Sequence, residues 1–134
     1  MKPDTSAPVE VLDASAVLAY IFREPGHERA ARAIAGRALI SAVNLAEVHS
    51  TLQLKGVASD RIVQRLRAMG LEVQPFDDAD AETAGRLRPL TLALGLSLAD
   101  RACLALAIRL GRSVLTTDRD FAKADVGVAV VPIR

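Results

Sequence analysis

Cysteine and aromatic side chains are scarce in this chain of 134 residues, and each shortage excludes a class of structure. The single cysteine, Cys103, can form neither an internal disulfide nor a cysteine zinc site. Such a count agrees with a reducing compartment, and a cytoplasmic location is the expectation. Aromatics make up 3% of the residues, so the core must be built mainly from Ala, Leu, Val and Ile. The same shortage argues against base-stacking platforms as the main route to nucleic acid. The two histidines, His27 and His49, do not form a zinc-type pair. The net charge is only +1, so any nucleic-acid contact must come from local arginine clusters rather than from the overall field. No apolar run reaches the length of a membrane span, and the polar, proline-containing start MKPDTSAP lacks the apolar stretch of a signal peptide. No membrane association is expected.

What is present suits a folded protein: 51% of the residues are apolar and 25% charged. The length fits one domain with a sizeable core. Residues 1–8 read as a loose leader and 9–134 as a single domain. Short apolar strands are expected at 9–12, 38–41, 71–76, 113–116 and 128–131. Helices are expected at 14–22, 27–35, 44–54, 59–69, 77–87 and 97–110, the fifth being disturbed at Pro89. A short turn or helix is expected near 120–123. Strands alternating with helices argue for α/β architecture, a parallel sheet covered on both faces.

Four acids fall at suggestive places in this pattern. Asp13 ends the first strand and Asp118 lies just past the strand 113–116. In open α/β sheets the functional crevice lies outside the carboxyl ends of the strands, where strand order reverses. Glu47 and Asp100 are expected in the first turns of helices able to face that crevice. Each acid also has a structural explanation. Asp13 can cap the following helix. Asn44-Leu-Ala-Glu47 and Ser97-Leu-Ala-Asp100 read as capping boxes, and Asp118 can open a turn. Convergence would be costly without a cation, since two like charges 4 Å apart repel by about 4 kcal/mol at an effective dielectric near 20. A divalent ion removes that cost, and all-oxygen ligands suit Mg²⁺ or Mn²⁺ rather than zinc.

The segments VLDASAVLAYIFREPG, ISAVNLAEV, GLSLADRACLALA and VLTTDRDF resemble the four signature segments of PIN-domain ribonucleases, most closely the VapC-type toxins of toxin–antitoxin pairs. The resemblance runs from about Val9 to Arg134. It implies a doubly wound, about five-stranded parallel sheet flanked by helices. It also implies a Mg²⁺- or Mn²⁺-dependent endoribonuclease, usually a homodimer, inhibited by a VapB-type antitoxin. Carried over by position, Asp13, Glu47, Asp100 and Asp118 match the acidic quartet. Ser15 and Thr116 match hydroxyl positions beside the first and last acids, and Asp120 is an extra acid that some members share.

On this basis Asp13, Asp100 and Asp118 would hold the metal directly or through water, Glu47 would orient or deprotonate water or complete a second metal position, and Ser15 and Thr116 would fix carboxylate rotamers. Arg86, Arg88, Arg101 and Arg119 are candidates for phosphate contact. Arg101 is the first choice, because it adjoins Asp100 on an otherwise apolar helix. Cys103 reads as a small core side chain. Haloacid-dehalogenase-type phosphatases need a second Asp where this chain has Ser15, and receiver domains need paired acids and a late Lys that are missing here. A catalytically inactive PIN-like protein-binding module is the remaining alternative, disfavoured by the intact quartet.

Overall fold

Two consecutive apolar residues, Val11 and Leu12, form the central strand β1 and are fully buried. The computed structural model describes residues 8–134, so the expected leader lies outside the described residues except for Pro8, which is exposed. After β1 come α1 (Ala14–Ile21), α2 (His27–Ala35), β2 (Leu39–Ser41), α3 (Ala42–Leu54), α4 (Ser59–Met69) and β3 (Glu72–Gln74). The chain then runs through α5 (Asp78–Thr91), a 3-10 turn (Leu92–Leu94), α6 (Leu98–Leu110), β4 (Val114–Thr116), a second 3-10 turn (Phe121–Lys123) and β5 (Val130–Pro132).

All strand pairs are parallel, in the order β3-β2-β1-β4-β5. The expected five-stranded, doubly wound α/β sheet is therefore observed. Because successive side chains along a strand point to opposite faces, each central strand feeds two cores. Leu12, Ile40 and Leu115 join the core under α1–α4. Val11, Leu39, Val114 and Val130 join the core with Leu87, Leu104 and Phe121 on the other face. Pro132 is tolerated because β5 is an edge strand.

Two elements differ from their sequence-based expectation. Helix α3 starts at Ala42, capped by Ser41, whose hydroxyl accepts from the Val43 amide. Asn44 is thus inside the helix rather than at its cap, and Glu47 lies in the second turn, not the first. Helix α5 does not stop at 87 but passes through Pro89 to Thr91. Proline removes one amide donor and crowds the carbonyl four residues back; that residue is Gly85, which has open space around its missing Cβ. Two side-chain bonds flank the proline: Arg101 of α6 donates to the Ala84 carbonyl at 2.9 Å, and within α5 the Thr91 hydroxyl donates to the Leu87 carbonyl at 2.8 Å. Gly70 marks the tightest chain approach: its φ is 131°, and a Cβ there would sit 2.3 Å from the Ile34 carbonyl oxygen.

Candidate active site

The strand order reverses beside β1: the chain first winds outward through β2 and β3, then returns to place β4 on the other side. The register sets Leu12 against Leu115, which brings Asp13, just past β1, beside Thr116, the last residue of β4. Asp13 is 4% exposed. Its Oδ1 accepts from the Ser15 hydroxyl at 2.6 Å and the Ala16 amide at 2.9 Å, the second bond capping α1. Its Oδ2 accepts from the Thr116 hydroxyl at 2.5 Å. The two hydroxyls are themselves aimed by backbone donors, Ser15 by the Thr117 amide and Thr116 by the Asp118 amide, each at 3.0 Å. Ser15 and Thr116 therefore bracket Asp13 in the arrangement expected of residues that fix its rotamer.

A cleft of about 240 Å³ opens above this point, lined by Asp13, Ala14, Ser15, Leu18, Glu47, Thr51, Asp100 and Asp118. The four acids come from four separate segments: the end of β1, α3, the start of α6 and the loop after β4. Burial raises the Asp13 pKa, against the pull of its three hydrogen bonds, and nearby Asp100 raises it further. Burial also raises that of Glu47, followed by repulsion from Asp100, with a smaller contribution from Asp13. Cys103, fully buried beneath them on α6, has its thiol pushed up first by burial and then by Asp13, Asp100 and Glu47. It stays a neutral core side chain.

The capping and functional explanations of the acids turn out to be compatible. Asp100 completes a capping box with Ser97, accepting from the Ser97 amide at 3.0 Å through Oδ2. Asp118 accepts from the Asp120 and Phe121 amides at 2.9 and 3.2 Å through Oδ1. In each case one oxygen is spent on the backbone and the other accepts no hydrogen bond among the described residues. Asp13 receives three donors on roughly four lone-pair sites, leaving one. None of the four acids forms an ion pair with Lys, Arg or His among the described residues.

A divalent ion suits this donor set, although no group of three or more His, Cys, Asp or Glu side chains among the described residues is gathered tightly enough to enclose one. The free carboxyl oxygens are hard donors, and among the described residues no Lys, Arg or His pairs with them. Mg²⁺ retains several waters and is commonly held through one or two carboxylates plus substrate phosphate, so an open set of this kind fits it.

Several residues singled out from sequence lie elsewhere. Arg101 is buried, its guanidinium is committed to the Ala84 carbonyl, and it does not line the cleft. It braces α5 against α6 and is not presented to a phosphate in the cleft. Arg86 pairs with Glu82 and Arg119 donates to the Arg134 carbonyl. Neither these nor Arg88 lines the cleft. Asp120 pairs with Lys123 at 3.1 Å, outside it. His49 shares a hydrogen bond of 2.8 Å with Ser59, tying α3 to α4. One residue was missed. Asn44, 1% exposed, donates to the Ala99 carbonyl at 3.1 Å and makes a longer contact of 3.5 Å with Glu47, linking α3 to the first turn of α6. Its spacing from Glu47 suggested a helix cap, which hid this role.

Fold and cleft together define an α/β domain with an acidic crevice at its topological switch point. Residues 11–127 match the family model of the PIN domain, and the chain belongs to that family. Its members are generally nucleases that use a divalent metal. No curated protein matches the chain. Among solved structures it is similar to a toxin–antitoxin complex from Klebsiella pneumoniae, with 18% identity over 90% of this chain and 96% of that one and a TM-score of 0.72. DNA-bound VapBC from Salmonella typhimurium gives 19% identity, coverage of 95% and 100%, and a TM-score of 0.69. FitAcB from Neisseria gonorrhoeae gives 24%, 92% and 96%, and 0.64. At these identities the likeness is one of fold.

Proposed function

We propose that the protein is a Mg²⁺- or Mn²⁺-dependent endoribonuclease, a VapC-type toxin whose activity a cognate VapB-type antitoxin restrains. The observation that carries the reading is the convergence of Asp13, Glu47, Asp100 and Asp118 on one cleft, with no ion pair to a Lys, Arg or His among the described residues. Membership of the PIN domain family supports nuclease chemistry, and the toxin–antitoxin complexes among its structural neighbours support the partner. A homodimer is part of the same proposal.

Asp100 and Asp118 would hold the ion through the oxygen that their backbone contacts leave free, and Asp13 through the lone-pair site that its three donors leave. When bound, the ion supplies charge neutralisation at the phosphoryl group and acidification of water. Ser15 and Thr116 keep Asp13 from rotating away, which preserves the geometry between turnovers. Glu47, on a half-exposed stretch of α3, orients the attacking water and takes its proton. Burial and repulsion raise its pKa, which makes it a better proton acceptor than an ordinary carboxylate. Attack by water leaves a 5′-phosphate and a 3′-hydroxyl, with no role for a histidine pair. Asn44 sets the spacing between α3 and α6, and hence between Glu47 and Asp100.

Cleavage of total RNA by the purified protein tests this. The wild type should cut in Mg²⁺ or Mn²⁺, stop in EDTA and leave 5′-phosphates, while Asp13→Asn should be silent. Equal cutting by Asp13→Asn, or cutting undiminished by EDTA, would sink the assignment. A second reading, an inactive protein-binding module, draws support from the loose gathering of the acids; it predicts no divalent-ion binding at the cleft.

A further inference from the structure

The acidic cleft does not end at its carboxylates. On α3, Glu47 and Thr51 line it, and four residues further along the same helical face lies Lys55. On α1, Ser15 and Leu18 line it, and the next residue on that face is Phe22. Both helices leave the carboxyl ends of neighbouring strands, so their faces run side by side away from the acids. The two tracks meet: the Lys55 ammonium sits over the Phe22 ring, 5.1 Å from its centroid. At 1.5 Å of rise per residue, Lys55 lies about 12 Å along α3 from Glu47, within a few nucleotides of a phosphate held at the acids.

Two features of this end of the groove call for an external partner. Phe22 is 37% exposed in a chain with only three Phe, one Tyr and no Trp. Lys55 and neighbouring Arg23 are exposed, and neither pairs with an acid among the described residues. Arg23 also stacks on Tyr20, 5.3 Å from its centroid, and holds a left-handed φ of 56°. Lys55 at the α3 C-terminus gains from the helix dipole, but that gain explains neither the exposed ring nor the second cation. The exposed part of the Phe22 ring, beside cations with no acidic partner among the described residues, offers stacking for a base and neutralisation for its phosphate, the combination used for single strands. Glu24 is the one acid adjoining Arg23 in the chain, and the cations outnumber it.

We propose that Phe22 and Lys55 form a nucleotide subsite that binds single-stranded RNA flanking the phosphate at the acids. This rests on the nuclease reading and deepens it. The cleft's own charge repels a polyanion, so a second anchor of opposite charge on the same groove gives the substrate a place to hold.

Binding of a fluorescein-labelled, randomised single-stranded RNA in Mg²⁺, read by anisotropy, tests it. The parent is Glu47→Gln, which disables cleavage while leaving the groove. In that background Phe22→Leu should weaken binding about tenfold. Lys55→Gln should weaken it and reduce the log–log salt slope by about 0.7. Leu54→Ser, which alters the adjacent residue (90% exposed), should change nothing. Melting temperatures near the parent's would show that the fold is intact. Parent binding with unchanged affinity in both variants, or a loss no larger than that of Leu54→Ser, overturns the subsite and leaves the patch to a protein partner. No RNA binding by the parent overturns the subsite, while the nuclease reading stands or falls separately with wild-type cleavage and its Asp13→Asn control.

Discussion

Asp100 and Asp118 each bond the backbone with one oxygen and leave the other free, so charge and cap can be separated by substitution. Asparagine keeps an oxygen acceptor but loses the charge; alanine loses both. Asp100→Asn and Asp118→Asn should therefore abolish cleavage, at least 100-fold, with little change in melting temperature. Asp100→Ala should lose the activity and in addition about 1 kcal/mol of stability with its cap, measurable by thermal melts beside the cleavage assay. The raised pKa values of Asp13 and Glu47 carry a sign of their own. A carboxyl whose folded pKa exceeds its unfolded value stabilises the fold fully below the unfolded value, near 4. That contribution is lost as pH rises through the folded pKa. In metal-free protein at neutral pH the two charges are thus a burden. Glu47→Gln should raise the melting temperature at pH 7 by about 2 °C, a small shift because Glu47 is largely exposed. The gain should shrink toward pH 4, and a constant difference across that range would contradict the shift.

Helix α6 shows how a charge on an apolar helix can mislead. Its otherwise apolar run correctly announced burial, and Ala102 to Ala107 are indeed inside. Arg101 then looked like a substrate contact because nothing local explained it. Its explanation is nonlocal: the carbonyl of Ala84 on α5, seventeen residues earlier, receives its guanidinium. Arg101→Met should cost about 1–3 kcal/mol by removing a buried hydrogen bond made by a charged donor. The KM for RNA should be unchanged; a raised KM at intact stability would restore a substrate role. Asn44 failed in the opposite direction. A good local explanation, the helix cap, concealed a tertiary bond to Ala99. Ser41 was the true cap, and only the packing of α3 on α6 reveals the difference. Asn44→Ala should lower stability by about 1 kcal/mol by removing its buried hydrogen bond to Ala99. It should also lower kcat more than it raises KM, because it displaces Glu47 relative to Asp100.

At the scale of the molecule, the alternation of short apolar strands and helices made the doubly wound sheet legible, and Asp13 and Asp118 could be placed at strand ends. Strand order could not be read from that pattern, since the same alternation serves several orders; it is the reversal between β1 and β4 that turns two strand-end acids into neighbours across one cleft. Closing that cleft around an ion should stabilise the whole fold, by about 2.7 kcal/mol at a hundredfold excess over Kd. The most direct test of the acidic centre is calorimetric titration of the metal-free protein with Mn²⁺. The wild type should bind, and Asp13→Asn, Asp100→Asn and Asp118→Asn should each bind at least tenfold more weakly while remaining folded. Mn²⁺ binding of equal affinity in the wild type and in a folded Asp13→Asn/Asp100→Asn double variant would contradict it.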